Sequence, residues 1–234
     1  MNAGVLGVPI SGPLRNVSNR VTTRRDSGHE LTTAVDVVEQ HTLEGETAAV
    51  EGRVLRESVE EQEAVTVEDG SILVGSERRT VQRWAEFSGI TDRDDHEGFL
   101  VVNSSDSTFA YDVVGDAILE AAAIDLAGFV DEHEVLQVST AGSPALGPVD
   151  SLTAHGSNVL EDEEIGVGEH IRDAIRAGTL SQVRVRYQSD HGLVRGYLAA
   201  SGYVEIYDPD LDTPEFLSLV ADDILPFASG GDSA

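Results

Sequence analysis

Four carboxylates near the C-terminal end of the sequence have a spacing that suits an oxygen-ligated cation. Asp208, Asp210 and Asp212 alternate through Asp208-Pro209-Asp210-Leu211-Asp212, and Glu215 follows three residues later. Alternating aspartates in a turn can wrap oxygens around Ca²⁺ or Mg²⁺, hard cations that take carboxylate ligands. The EF-hand spacing is not met, because its glycine and its distant glutamate are missing. The same residues have a second reading, a solvated turn that caps the last helix. Seven histidines are scattered through the chain. His29, His96 and His133 each precede a glutamate and His170 follows one, as chance dictates in so acidic a sequence. They read as surface residues. A metal-assisted hydrolase would have to combine Asp208, Asp210 and Asp212 with one of them. Cysteine is absent, which excludes disulfides and cysteine-ligated zinc or iron–sulfur sites. No phosphate-binding glycine loop, nucleophile elbow or helical zinc motif occurs, and the glycines at 4, 7 and 12 lack the required spacing. The sequence therefore gives no assigned catalytic residue and no organic cofactor.

The acidic turn would be positioned by the elements around it. Thr213 can cap a helix, Pro214 suits its first turn, and Glu215 faces the positive end of the dipole. Phe216, Leu219, Val220 and Ile224 then give an apolar stripe, and Pro226 ends it. Three alternating runs precede the turn: Gln182 to Tyr187, Leu193 to Leu198 and Tyr203 to Tyr207. They read as half-buried antiparallel strands joined at Asp190-His191-Gly192 and Ser201-Gly202. Earlier, Leu31 to Val37, Thr47 to Leu55, Ala64 to Val67 and Ser71 to Val74 read as strands, the last two meeting at an Asp69-Gly70 turn. The spacing of Val81, Trp84 and Phe87 predicts a short helix over 79–87, with the single tryptophan as a core anchor. Phe99 to Val102 and Thr108 to Val114 read as a strand and its return. Ala117 to Leu126 fits helix or strand, and Val135 to Val138 a further strand.

These segments predict an α+β fold, mainly antiparallel β of sandwich or barrel-like form, with a few short helices and a C-terminal α+β part. The expected organisation is an N-terminal arm over 1–30, a β-rich domain over 31–138 and a loop or linker over 139–168. A C-terminal α+β region over 169–228, starting with a helix over 169–177, and a tail over 229–234 complete it. Arg15, Arg20, Arg24 and Arg25 give the arm the densest positive charge in the chain. It reads either as simply exposed or as an arm that docks onto an acidic neighbour, such as another copy of the chain.

Charge limits the partners. Among 234 residues, 43 are acidic and 15 basic, a formal net charge of −28, and every basic residue is arginine. From Asp94 to Ile171 there are 17 acids and no arginine. A protein that grips nucleic acid needs a basic footprint, and this one has the reverse. No apolar run reaches the 18 residues of a membrane-spanning helix. So many like charges repel strongly in dilute buffer, whereas at molar salt the screening length falls to about 3 Å. Arginine pairs bidentately with carboxylates and is weakly hydrated, so it suits an acid-rich surface at high salt. The composition resembles that of proteins from salt-in halophiles, haloarchaea in particular. It implies the cytoplasm of such a cell, or a virion assembled there.

One further resemblance rests on Arg24 to Leu31 and on Leu43-Glu44-Gly45-Glu46-Thr47-Ala48-Ala49-Val50-Glu51-Gly52-Arg53-Val54. With a helix around Trp84 and a strand pair over Phe99 to Val114, this order is similar to the first β-sandwich strands of distal-tail and baseplate proteins of tailed viruses. The resemblance covers roughly residues 15–125. It implies a ring-forming virion component, with a capsid β-barrel protein as a near variant. The expected function is thus structural, through a homo-oligomer and other assembly proteins. A halophilic metal-assisted hydrolase and a small acidic binding module are the alternatives.

Overall fold

Phe99, Leu100, Val101 and Val102 are all buried, and they lie at the centre of the fold. The computed structural model describes residues 2–43, 48–68, 70–91, 97–103, 108–139, 182–207 and 210–230. Its strands are β1 (Ala3–Ser11), β2 (Arg20–Asp26), β3 (His29–Thr42), β4 (Ala48–Glu68), β5 (Ser71–Ile90), β6 (Phe99–Asn103), β7 (Ile118–Ile124), β8 (Glu134–Ser139), β9 (Gln182–Ser189), β10 (Gly192–Ala199), β11 (Tyr203–Ile206) and β12 (Ala228–Gly230). Among the described residues three short helices interrupt them: α1 (Thr108–Val114), α2 (Leu126–Glu132) and α3 (Thr213–Leu219). A π turn over Val220–Ile224 and a 3₁₀ turn over Leu225–Phe227 lead from α3 to β12.

All pairings are antiparallel. The main path runs β2-β3-β4-β5-β6-β1-β11-β10-β9-β8, and the sheet does not close. β1 is the fork. One edge pairs with β6 (Val5↔Val102). The other pairs first with β11 (Ala3↔Glu205) and then with β7 (Gly7↔Ala121), which carries β12. Residues 3–11, expected within an exposed arm, are therefore an interior strand with Leu6 fully buried. The run Val5-Leu6-Gly7-Val8 is apolar because such a strand is covered on both faces.

β6 is covered in the same way. Phe99 and Val101 enter one core, which is roofed by Phe129 and Val130 of α2 and by Phe216, Leu217 and Leu219 of α3. Leu100 and Val102 enter the other, with Phe87, Val54 and Val50, under Ala110, Tyr111 and Val114 of α1. Gly7 is needed at that second contact. A Cβ there would stand 2.4 Å from the Tyr111 ring, whose hydroxyl donates to the Val5 carbonyl at 3.0 Å. The molecule is thus mainly antiparallel β with few short helices, including a C-terminal one, as the sequence patterning predicts.

Several local expectations are corrected. Residues 79–87 form part of β5, not a helix. Trp84 and Phe87 lie an odd number of residues apart, so on a strand they face opposite sides. Phe87 is buried, while Trp84 is 63% exposed and anchors no core. Residues 108–114 form α1, not a return strand: Phe109 and Val113, and Ala110 and Val114, are i,i+4 pairs that bury together. Ala117 to Leu126 resolves into β7, followed by α2 from Leu126, with Asp125 as its cap. The three C-terminal strands and the turns at Gly192 and Gly202 are present, both glycines with positive φ. Of the loop expected over 139–168, Ser139 ends β8 and the rest lies outside the described residues, as does the helix over 169–177. Of the tail expected over 229–234, Ser229 and Gly230 belong to β12 and the rest lies outside.

One buried polar pair fixes the junction between β9 and the π turn. The Tyr187 hydroxyl donates to Asp223 Oδ2 at 2.9 Å, and both residues are buried. Burial, then the neighbouring Asp223 charge, pushes the Tyr187 phenol well above tyrosine's ordinary range. The raised value means that the unfolded chain ionises first, so stability is fully present below tyrosine's ordinary pKa and falls as pH climbs beyond it. We expect Tyr187→Phe to cost about 1–3 kcal/mol near neutral pH, because it strands a buried acceptor, and to flatten the alkaline loss. Denaturant titrations in molar KCl at neutral and alkaline pH check both.

Candidate functional site

The acidic turn is resolved from Asp210 onward, and Asp208 lies outside the described residues. Asp212 and Glu215 come together, but in a capping box. Asp212 Oδ1 accepts from the Glu215 amide at 2.9 Å, and the Asp212 amide donates to Glu215 Oε2 at 3.1 Å. Asp212 is thus the cap of α3, in the place expected for Thr213. The Thr213 hydroxyl instead donates to Glu51 on β4. Asp210 is exposed. Two of the four candidate ligands are therefore occupied with backbone amides that would otherwise lack partners. Among the described residues, no three of His, Asp and Glu gather as a metal-binding group.

The histidines within the described residues serve local structure. His133 stacks on Phe129, with ring centroids 4.2 Å apart. His191 Nε2 sits 3.0 Å from Asp222 Oδ2, and His29 Nδ1 3.3 Å from Thr80 Oγ1. His96 and His170 lie outside the described residues.

A different feature stands out. β4 and β5 pair without a break from Ala49↔Ile90 to Glu68↔Ser71. Their neighbours stop much earlier: β3 leaves β4 at Thr33↔Arg56, and β6 leaves β5 at Glu86↔Asn103. Beyond those points β4 and β5 form a two-stranded ribbon, about 40 Å long from Glu57 to Glu68 at roughly 3.4 Å per residue. Its turn uses Gly70 at φ 79°.

The root of the ribbon is polar and tied. Gln82 Nε2 donates to Glu57 Oε1 at 2.7 Å, and the Thr32 amide donates to Glu57 Oε2 at 2.7 Å. These two bonds, the first above all, hold the Glu57 carboxyl below its ordinary range. Arg83 reaches Glu60 across the strands at 2.7 Å, and Ser76 donates to Glu61. The tip is the reverse. Cross-strand partners share a face, as do residues two apart. Val65↔Val74 and Val67↔Ile72 therefore put four β-branched side chains on one face, each 60–71% exposed. That face continues down the ribbon to Leu55↔Trp84 and across the sheet through Ala34 to Val21, also exposed.

The adjoining edge is equally open. β2 pairs only with β3, leaving one side of Arg20–Asp26 without a neighbouring strand. Arg24 and Arg25 are exposed, and neither has a side-chain partner among the described residues. β4 from Ser58 to Glu68 likewise pairs with no strand opposite β5 and bears Glu60, Glu61 and Glu63. The β2–β3 turn touches the start of the ribbon through Ser27 with Arg78 and His29 with Thr80.

A second polar cluster lies on the far part of the sheet. Arg184, Tyr197 and Glu205 are cross-strand neighbours, flanked by Tyr203, whose ring meets that of Tyr197 edge-on at 5.8 Å. Partial burial, with Glu205 nearby, raises the phenol pKa of Tyr197, Tyr203 and Tyr207.

The hairpin turn at Asp69-Gly70 is legible in the sequence, but the length of its arms is not. Residues 56–63 and 75–83 are charged or polar on both faces, so the alternation that marks a strand is lost there. No protein-family model, curated protein or solved structure matches this chain.

If Asp212 acts as a cap, Asp212→Ala should cost about 0.5–2 kcal/mol, while Asp212→Asn, itself a good cap, should be close to neutral. Chemical denaturation with and without added Ca²⁺ separates the roles. An essential ligand would show as a Ca²⁺-dependent loss in the Asn variant as well.

Proposed function

We propose that this chain is a structural assembly protein, acting through contact with copies of itself and with neighbouring proteins in a salt-rich setting. The observation that carries the reading is the unsupported ribbon with its exposed apolar tip. A lone two-stranded hairpin is marginally stable in water, and four clustered β-branched side chains there gain nothing until they are covered. A catalytic scaffold has no need of such a projection, whereas an assembly contact does. The composition supports the setting, because a surface with net charge −28 tolerates close approach of copies only when salt screens it.

Repeated-copy particles are the kind of assembly this fits, a virion tail, baseplate or shell among them. The halophile-like composition supports that placement. The element order behind the viral-tail resemblance supports it less, since 79–87 is strand and 108–114 is helix. No helix among the described residues is long and apolar enough to cross a membrane.

Light scattering in molar KCl at two protein concentrations tests the reading. The full chain should form a discrete oligomer. A variant with residues 57–82 replaced by a two-residue turn should be monomeric, with its thermal midpoint lowered by only a few degrees, because the ribbon contributes little to either core. Trp84, the single tryptophan, should shift its fluorescence to shorter wavelength as the full chain associates. A monomer with unshifted emission at both concentrations would contradict self-assembly.

A further inference from the structure

The assembly reading leaves open which surface receives the ribbon, and the following rests on that reading. The charges on the two free strand edges point to an answer. The outer edge of β4 beyond Arg56 carries Glu60, Glu61 and Glu63. The outer edge of β2 carries Arg20, Arg24 and Arg25, with no acid until Asp26. One edge is acidic and the other basic, both lack a strand neighbour, and they belong to the same sheet.

We infer that the acidic ribbon edge of one copy adds as a strand to the arginine-bearing β2 edge of a second copy. Strand addition satisfies the backbone groups that both edges present to solvent. Successive residues point to opposite faces, so Arg24 and Arg25 each find a glutamate when antiparallel pairing sets them against Glu61 and Glu60. The match is therefore two-faced, and it fixes direction. Glu63 has no side-chain partner among the described residues, nor do Arg24 and Arg25. Glu60 and Glu61 do have partners, Arg83 and Ser76, but these contacts are at the surface and can be exchanged or shared. In this register Val65 and Val67 of one copy lie on the Arg20 and Arg24 face of the next, so the stems of those arginines cover the apolar tip. The tip alone is too small for a stable contact. At roughly 60–120 Å² per aliphatic side chain, four partly exposed ones fall well short of the ~800 Å² per partner of a standard interface. The added strand supplies the remainder.

The contact is heterologous, since each copy gives a ribbon and receives one. Such contacts close into rings or run on as filaments. The contact also has an unusual salt dependence. Lowering the salt restores repulsion between copies of charge −28, while ion pairs at hydrogen-bond distance are screened less than charges farther apart. Assembly should therefore strengthen as KCl rises toward molar levels, opposite to an interface held only by surface ion pairs.

The test uses full-length chains carrying changes at exposed positions, with circular dichroism confirming the fold. In molar KCl, Arg24→Glu with Arg25→Glu should lose the oligomer and run as a monomer. Glu60→Arg with Glu61→Arg should do the same. An equimolar mixture of the two should regain assembly, because each supplies the edge complementary to the other, and a chain with all four changes should assemble alone. If either double variant assembles like the unaltered chain, or the mixture stays monomeric, the edge pairing is wrong and only the assembly reading survives. If the unaltered chain itself never associates, both fail.

Discussion

An antiparallel pair of strands has two faces and two edges, and on its own it can cover none of them. Most other strands among the described residues are relieved of much of that problem by a neighbour or a helix, although β2 keeps one open edge. β6 and β1 are covered on both faces, β4 and β5 are covered at their roots, and the C-terminal strands lie under α2 and α3. Where β4 and β5 outrun β3 and β6, neither outer edge has a strand partner and both faces are exposed at the tip. Cross-strand pairs such as Glu60 with Arg83 keep the ribbon in register, but they are exposed and individually weak. On the proposed reading, what the fold leaves uncovered within one molecule is covered between molecules.

The charge distribution bears on how this is done. A net charge of −28 makes indiscriminate sticking between copies unfavourable, so an exposed apolar tip is tolerable only on such a background. Against it, the short basic stretch of β2 is distinctive. On the proposed reading, the ribbon brings the apolar contact and the arginines bring direction. High salt removes long-range repulsion without removing either the backbone pairing or the apolar burial.

Much of the fold is legible in the sequence where one periodicity acts alone. The C-terminal strands alternate cleanly, and Gly70, Gly192 and Gly202 take the positive φ their turns need. Errors fall where two periodicities compete. Val81, Trp84 and Phe87 have helical spacing, yet pairing with β4 over the whole length of β5 overrides it. Phe109 to Val114 has strand-like composition, yet its i,i+4 pairs bury as a helix. Residues 3–11 look like an arm because a central strand covered on both faces does not alternate. The candidate cation turn is half explained by local chemistry, since Asp212 and Glu215 cap α3. The ribbon escapes a sequence reading because its middle is polar on both faces, and no pattern in one chain reveals that another chain is expected beside it.

Hydrogen exchange across residues 57–82 in molar KCl, followed as a function of protein concentration, tests the central claim most directly. The account predicts rapid exchange in dilute solution. It also predicts protection that grows with concentration, in step between the β4 edge and the β2 edge at residues 20–26. Exchange in the ribbon that stays equally fast at every concentration, while the core strands remain protected, would contradict it.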